Sequence, residues 1–305
     1  MKLAELSTDE LLHRLRGPGL CLKTGPFNFR IVSPIESVAR GLRLLYADYA
    51  VVDETQFIDF TVTLLPSPGW RTWWRAQVNF VYDGEHPFLP LPIDHAFALL
   101  EWAMNWCIST QAHQYLTLHA AVLERNGLAL VMPAASGSGK STLAAALCHR
   151  GWRLLSDELT LVSLDDVWVS PLSRPVSLKN NSLAVIDRFV PGATFTPPAH
   201  DTFKGTVCHM KVPREQVARM AERALPAWLV FPQFVADAPA ALRMRTKANS
   251  LLELCRHAFN YSVAGLEGFE ALSHLVSGSA CYDFSYGRLE EAVGVFEQLA
   301  HAEAA

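Results

Sequence analysis

Apolar and polar positions follow two rhythms along the chain, one helical and one strand-like. Ser7-Thr8-Asp9-Glu10 precedes Leu11, Leu12 and Leu15. A hydroxyl at the cap, acids in the first turn and leucines at helical spacing predict a short amphipathic helix, and Gly17-Pro18-Gly19 stops it. Strand-like runs follow. Residues 20–23 and 27–31 flank a Gly25-Pro26 turn, residues 57–64 end at Pro66-Ser67-Pro68-Gly69, and residues 73–82 end at Asp83-Gly84. Short apolar runs punctuated by Gly, Pro and Asp read as a meander of strands and turns. After a proline-rich stretch from Pro87 to Pro92, residues 93–110 return to helical spacing, with Phe97, Leu100, Met104 and Cys107 on one side. A domain boundary near residue 112 makes residues 1–112 an α+β N-terminal domain, with 113–305 as the second.

The second half alternates strand, loop, helix and strand. Residues 120–124 and 128–132 read as short buried strands split by an Arg125-Asn126-Gly127 hairpin turn. Residues 141–150 read as a short helix stopped by Gly151, residues 153–155 and 159–162 are strand-like, and residues 289–300 form an amphipathic helix. This is the pattern of an α/β domain with a central sheet and flanking helices.

Composition narrows the class. Half of the 305 residues are hydrophobic and 18% are charged, too apolar for a disordered chain. Lys plus Arg is 26 against 30 for Asp plus Glu, a net charge of −4, which argues against a nucleic-acid partner held by phosphate neutralisation. The longest apolar stretches, 128–135 and 227–231, are far short of the roughly 20 residues a membrane span needs. The N-terminus has no apolar signal segment. The expectation is a cytoplasmic protein without a membrane partner. Cysteines at 21, 107, 148, 208, 255 and 281 form no CxxC pair and are expected to be reduced core thiols. Five of the eight tryptophans lie between 70 and 106. They suit either an aromatic groove for a peptide or base, or the core of a small sheet with a helix packed on it.

The candidate chemistry begins at Ala134-Ala135-Ser136-Gly137-Ser138-Gly139-Lys140-Ser141-Thr142. The segment follows an apolar strand and opens a helix, the context a phosphate-binding loop requires. Glycines let backbone N–H groups turn towards phosphate oxygens, and the helix N-terminus adds partial positive charge. Residues 135–142 are thus expected to cradle ATP. Lys140 would reach the β- and γ-phosphates and the Ser141 hydroxyl would ligate Mg²⁺. Ala134 replaces the usual first glycine, which costs little where no positive φ is needed.

Asp157 and Glu158 stand 17 and 18 residues past Lys140. An acid at the C-terminal end of a neighbouring strand is placed for a metal site. Consecutive residues of a strand face opposite ways, so both acids can serve one site only where the strand breaks into a loop, as Ser156 suggests. His119 lies 21 residues before Lys140. By itself it reads as a strand-end histidine.

The intervals between His119, Lys140, Asp157 and Glu158 together resemble those of HPr kinase/phosphorylase, a bacterial enzyme that phosphorylates a serine of a carrier protein. The run after Lys140, with Arg150-Gly151 and Arg153-Leu154, is similar too. The chain resembles still more closely the HPr kinase-related kinase A family. That resemblance rests on Gly25-Pro26-Phe27, the run from Leu100 to Cys107, Leu118-His119-Ala120-Ala121, Ser156-Asp157-Glu158-Leu159, the run from Arg174 to Asn180, and Lys204-Gly205-Thr206 with His209. It implies an HPr kinase-like P-loop domain with a central mixed sheet behind the N-terminal domain, and transfer from MgATP to a serine of a peptide or small protein. It also implies a PqqD-like peptide-binding partner. In it Glu158 takes the proton-acceptor position, Asp157 holds Mg²⁺ directly or through water, and His119 sits near the γ-phosphate. Arg174, Lys179 and Lys204 neutralise charge on the transferring group. HPr kinase also carries an Arg-Pro-Gly-Arg-Asn turn associated with dephosphorylation. Here the corresponding residues are Arg245-Thr246-Lys247-Ala248-Asn249, so phosphorylase activity is not expected. A nucleotide-dependent switch and a pseudokinase scaffold are the rival readings, and the sequence leaves the oligomeric state open, a homo-oligomer included.

Overall fold

A computed structural model describes all residues except 54, 70–73, 136 and 303–305. Helix α1, Thr8–Arg16, begins as its sequence dictates: Ser7 Oγ accepts the Glu10 N–H at 3.1 Å, and Leu11 and Leu15 are buried. Strands β1 (Leu20–Thr24) and β2 (Phe27–Val32) form an antiparallel hairpin. Helix α2, Glu36–Leu45, was not expected, although Val38, Leu42 and Leu45 recur at helical spacing and are buried. Its presence corrects the expected meander. β3 (Phe60–Pro66) pairs with β2 in parallel, and a parallel pair needs a crossover rather than a tight turn; α2 lies in that crossover. β4 (Gln77–Val81) and β5 (Leu91–Pro92) complete the sheet antiparallel.

Helix α3, Ala96–Gln111, packs on this sheet. Of the tryptophans between 70 and 106, Trp102 is buried, and Trp106 stacks edge-on against Phe80, Tyr82 and Phe88. These two are core, whereas Trp74 is exposed, and Trp70 and Trp73 lie outside the described residues. The apolar core continues without a break from this half into the next.

The second half starts with β6 (Tyr115–Leu118), β7 (Ala120–Arg125) and β8 (Leu128–Pro133). Asn126 at φ 56° and Gly127 at φ 83° join β7 to β8, two left-handed residues that suit a two-residue hairpin. Helix α4 is Lys140–Cys148. Strands β9 (Arg153–Ser156), β10 (Thr160–Ser163), β11 (Val169–Ser170) and β12 (Val176–Lys179) lead to α5, Ser182–Phe189. Then come β13 (Ala199–Thr202), β14 (Gly205–Met210), α6 (Arg214–Ala218) and β15 (Leu225–Phe234). The chain ends with β16 (Ala241–Met244), α7 (Lys247–Arg256), α8 (Tyr261–Gly278), β17 (Ala280–Tyr286) and α9 (Leu289–Ala302).

The result is a mixed α/β protein. Among the described residues its strands form a five-stranded N-terminal sheet, two three-stranded sheets, β11-β10-β6 and β12-β14-β13, and a six-stranded sheet ordered β16-β17-β15-β8-β7-β9. The six-stranded sheet is covered on both faces. Ala121, Leu123, Leu130 and Met132 join the core under α4 and α9, while Ala120, Val122, Ala129 and Val131 join the core under α8. Burial on both faces explains why β7 and β8 are apolar runs without alternation.

The register places the site. β7 pairs antiparallel with both β8 and β9, and β15 pairs parallel with β8 and β17. β8, β9, β15 and β17 therefore all end at one edge of the sheet, and β7 starts there. His119, the glycine-rich loop and the acid pair flank that edge. Arg153 on β9 is buried and pairs with Glu124 on β7 at 2.5 Å, which gives the similar Arg153-Leu154 run a structural role. Among the described residues no helix is long and apolar enough to cross a membrane.

Candidate functional site

The loop between β8 and α4 is built from glycine geometry. Gly137 and Gly139 both sit at φ 88°. A Cβ on Gly139 would lie 2.4 Å from Tyr286 Oη and 2.9 Å from Phe234 Cβ, so both conformation and space demand glycine. The Phe234 N–H donates to Ser138 O and Tyr286 Oη to Gly139 O, each at 2.9 Å, and Thr142 Oγ1 donates to Ser182 Oγ on α5 at 2.8 Å. Ala134 is not at positive φ, which accounts for alanine there. Ala135 and Gly137 are exposed, while Ser138 and Ser141 are half-buried. Ser136 lies outside the described residues.

Lys140 is only 5% exposed, and its Nζ donates to Ala134 O at 3.4 Å. Burial pulls its pKa down to about 8, against the opposing pull of Asp157 and Glu158. The strand does break after Ser156, and the two acids then have different surroundings. Asp157 is buried; its Oδ2 accepts the Ser177 N–H at 3.0 Å, while Oδ1 has no partner among the described residues. Burial, then the neighbouring Glu158, push its carboxyl up to about 6, with Lys140 and the Ser141 hydroxyl opposing. Burial acts in the same direction on Glu158, but Lys204, Lys179 and Lys140 outweigh it and hold that carboxyl at about 2. Glu158 Oε1 accepts from Lys179 Nζ at 3.4 Å, and Oε2 from Asn105 Nδ2 at 2.7 Å.

The sheet β12-β14-β13 supplies the cations. Lys179 ends β12, and Lys204 sits in the turn between β13 and β14 with Nζ 5.4 Å from the ring centres of both Trp102 and Phe203. Burial lowers the Lys204 pKa. His119 stands half-buried between β6 and β7, with its backbone N–H donating to His257 O at 2.7 Å. Burial, then Lys140, lower its pKa to about 4, so the imidazole is neutral at pH 7. The fold thus gathers Lys140, Asp157, Glu158, Lys179 and Lys204 into one electrostatic cluster, with His119 at its margin.

Arg174 departs from the expectation that it faces a phosphoryl group. It is buried, and its Nη2 donates to Glu101 Oε2 at 2.6 Å and its Nη1 to Asn105 Oδ1 at 2.8 Å. The guanidinium is committed to α3. Glu101 and Asn105 lie in the run from Leu100 to Cys107 that carries the resemblance, but no role for either was expected. The available signal was a Glu and an Asn four apart on an otherwise apolar helix, because a buried charge has to be paired. His209 and Ser177, which belong to the motifs that carry the resemblance, had no assigned role either. They line a cleft with Glu101, Asn105, Asp157 and Glu158, and His209 Nε2 and Ser177 Oγ are buried there without a partner among the described residues.

Residues 95–167 match the family described as SynChlorMet cassette protein ScmC. That segment runs from the start of α3 past His119, the loop and the acid pair. The chain is also similar to a solved structure described as the Hpr(Ser) kinase/phosphatase from Coxiella burnetii, with 13% sequence identity and a TM-score of 0.30, over 62% of this chain and 96% of that one. No curated protein matches the chain.

Proposed function

We propose that this chain is a P-loop phosphotransferase that binds MgATP at residues 135–142 and passes the γ-phosphoryl group to a hydroxyl, that of a serine on a peptide or small protein. The observation that carries the reading is the convergence of a buried Lys140 with the adjacent carboxylates of Asp157 and Glu158, at the mouth of a glycine-shaped loop opening a helix. The donor set suits the cofactor. Asp157 keeps one buried oxygen unpartnered beside the Ser141 hydroxyl, and Mg²⁺ is bound by one or two protein oxygens with phosphate and water supplying the rest. Bound there, the ion would neutralise charge between the β- and γ-phosphates.

The chain's own residues divide the remaining work. Lys140, Lys179 and Lys204 stabilise charge on the transferring group. His119, neutral at pH 7, can donate one hydrogen bond near the γ-phosphate without adding charge. Glu158 orients the acceptor hydroxyl and takes its proton, and a carboxylate held ionised suits a loose transition state in which proton removal comes late. Arg174 stands one step back, acting through α3.

This reading extends to the HPr kinase-like fold for residues 113–305, the N-terminal domain 1–112, a cytoplasmic location and a PqqD-like peptide-binding partner. The cassette description of the matching family supports a protein that works beside others. Incubation with labelled ATP, Mg²⁺ and serine-containing peptides tests it. Label should pass to the peptide, and Lys140→Ala should lower transfer by about 100-fold or more, as removal of one electrostatic contact typically does, and weaken MgATP binding. Hydrolysis without transfer would instead identify a switch, and near-normal turnover by a folded Lys140→Ala protein would refute the site.

A further inference from the structure

The buried polar groups of α3 form a connected relay that ends on Glu158. Tyr46, at the C-terminus of α2, donates from Oη to Glu101 Oε1 at 2.6 Å. Glu101 Oε2 accepts from Arg174 Nη2 at 2.6 Å, and the same nitrogen donates to the Glu101 carbonyl at 2.9 Å. Arg174 Nη1 donates to Asn105 Oδ1, and Asn105 Nδ2 donates to Glu158 Oε2. The Arg174 cation is balanced by Glu101 inside the relay, which sustains its burial, and Glu158 is balanced by Lys179 from outside it.

Donor and acceptor rules fix the direction of every link. A guanidinium only donates, so the Asn105 oxygen must face Arg174. The Asn105 amide nitrogen is then left for Glu158, whose ionised oxygens only accept. The amide cannot flip without losing both bonds, which settles an orientation that is otherwise ambiguous for asparagine.

We infer that Asn105, in the N-terminal half, is a positioning residue for Glu158, and that Arg174, Glu101 and Tyr46 hold its amide nitrogen towards that carboxylate. The proposal rests on the phosphotransferase reading of Glu158 and adds to it what the N-terminal half contributes. Glu158 has two oxygens. Asn105 occupies one from the side of α3 and Lys179 reaches the other from β12, so the carboxylate is fixed in its plane before any acceptor arrives. A misplacement of about 1 Å at such a group costs on the order of 100-fold in rate.

The test compares Asn105→Asp with Asn105→Ala. Asp keeps the shape of the side chain and its bond from Arg174 but presents an oxygen to Glu158 where Asn presents a donor. Transfer should fall about 10- to 100-fold in both variants, at least as far in Asn105→Asp, with MgATP affinity unchanged. A packing role predicts the reverse order. Wild-type transfer in Asn105→Asp beside a loss in Asn105→Ala overturns the proposal.

A second measurement does not depend on turnover. The Glu158 carboxyl carbon resonance, identified by its absence from Glu158→Gln, is compared at pH 7 in the nucleotide-free protein. Loss of the Asn105 Nδ2 donor should shift it in both Asn105→Asp and Asn105→Ala, and an unshifted resonance in either overturns the proposal. If the wild-type protein neither binds MgATP nor transfers phosphate, the phosphotransferase reading fails, while the resonance still reports on the bond between Asn105 and Glu158.

Discussion

The phenol of Tyr286 donates a hydrogen bond to the carbonyl oxygen of Gly139, 2.9 Å away across 147 residues of sequence. It ties the glycine-rich loop to the end of β17, two strands away from β8, the strand that precedes the loop. The loop's shape is thus held by tertiary contact as well as by its glycines. Gly139→Ala should cost about 1–3 kcal/mol for a side chain at positive φ, more if Tyr286 cannot withdraw, and should abolish MgATP binding. Tyr286→Phe should cost about 0.5–1.5 kcal/mol, the net value of one hydrogen bond, and weaken binding less. Thermal melting and nucleotide titration measure both. Wild-type affinity in Gly139→Ala would remove the loop from the site.

Asp157 and Glu158 should respond in opposite directions to loss of charge. The Asp157 carboxyl is pushed up from 3.8 to about 6, chiefly by burial, so the folded protein holds a proton that the unfolded chain releases. Its contribution to stability is complete below about pH 4 and is lost as pH rises through 6. The Glu158 carboxyl is held down from 4.5 to about 2, its lysines outweighing burial. Its contribution is present above 4.5 and is lost as pH falls towards 2. At pH 7, Asp157→Asn should therefore raise the melting temperature of the nucleotide-free protein and Glu158→Gln should lower it. In the presence of nucleotide, Asp157→Asn should raise the Mg²⁺ requirement, whereas Glu158→Gln should bind MgATP and fail in transfer. The opposite pattern of losses would exchange the two roles.

The reverse reaction should be absent. Arg245 is paired with Asp283 at 2.6 Å, and Lys247 Nζ donates to carbonyl oxygens at the end of α8, including Val276 O at 2.8 Å. Neither side chain is left as a phosphate ligand, and Lys247 could not in any case replace the bidentate fork of an arginine. Thr246 now caps α7, accepting the Asn249 N–H. Phosphorylated peptide supplied with inorganic phosphate and Mg²⁺ should release no pyrophosphate, and release at a rate comparable to forward transfer would contradict this assignment.

All six cysteines are unpaired, five of them buried and Cys255 half-buried. Burial raises Cys107, Cys148 and Cys208 to about 12, and a protonated thiol is a poor nucleophile. Denatured protein prepared without reductant should titrate six thiols. Native protein should react first at Cys255, and fast reaction at Cys148 would show that its packing is looser than described.

Local chemistry made part of this protein legible in its sequence. The Ser7 cap, the Asn126-Gly127 turn, the apolar runs of β7 and β8 and the loop opening α4 each depend on neighbours a few residues apart, and spacing along the chain records such relationships. The break after Ser156 was readable for the same reason. The parallel pairing of β2 with β3 was not, because strand direction is set by where α2 carries the chain. Arg174 shows the limit most clearly. As a lone cation in a sequence it suits a phosphate, but 69 residues separate it from Asn105 and 73 from Glu101, and only folding brings their complementary donors and acceptors within reach in a buried place where an unpaired charge is untenable. Likewise, Asp157 and Glu158 are adjacent acids in the sequence, and it is the tertiary placement of Lys204 against Glu158, with Lys140 and Lys179 acting on both, that drives their proton affinities apart.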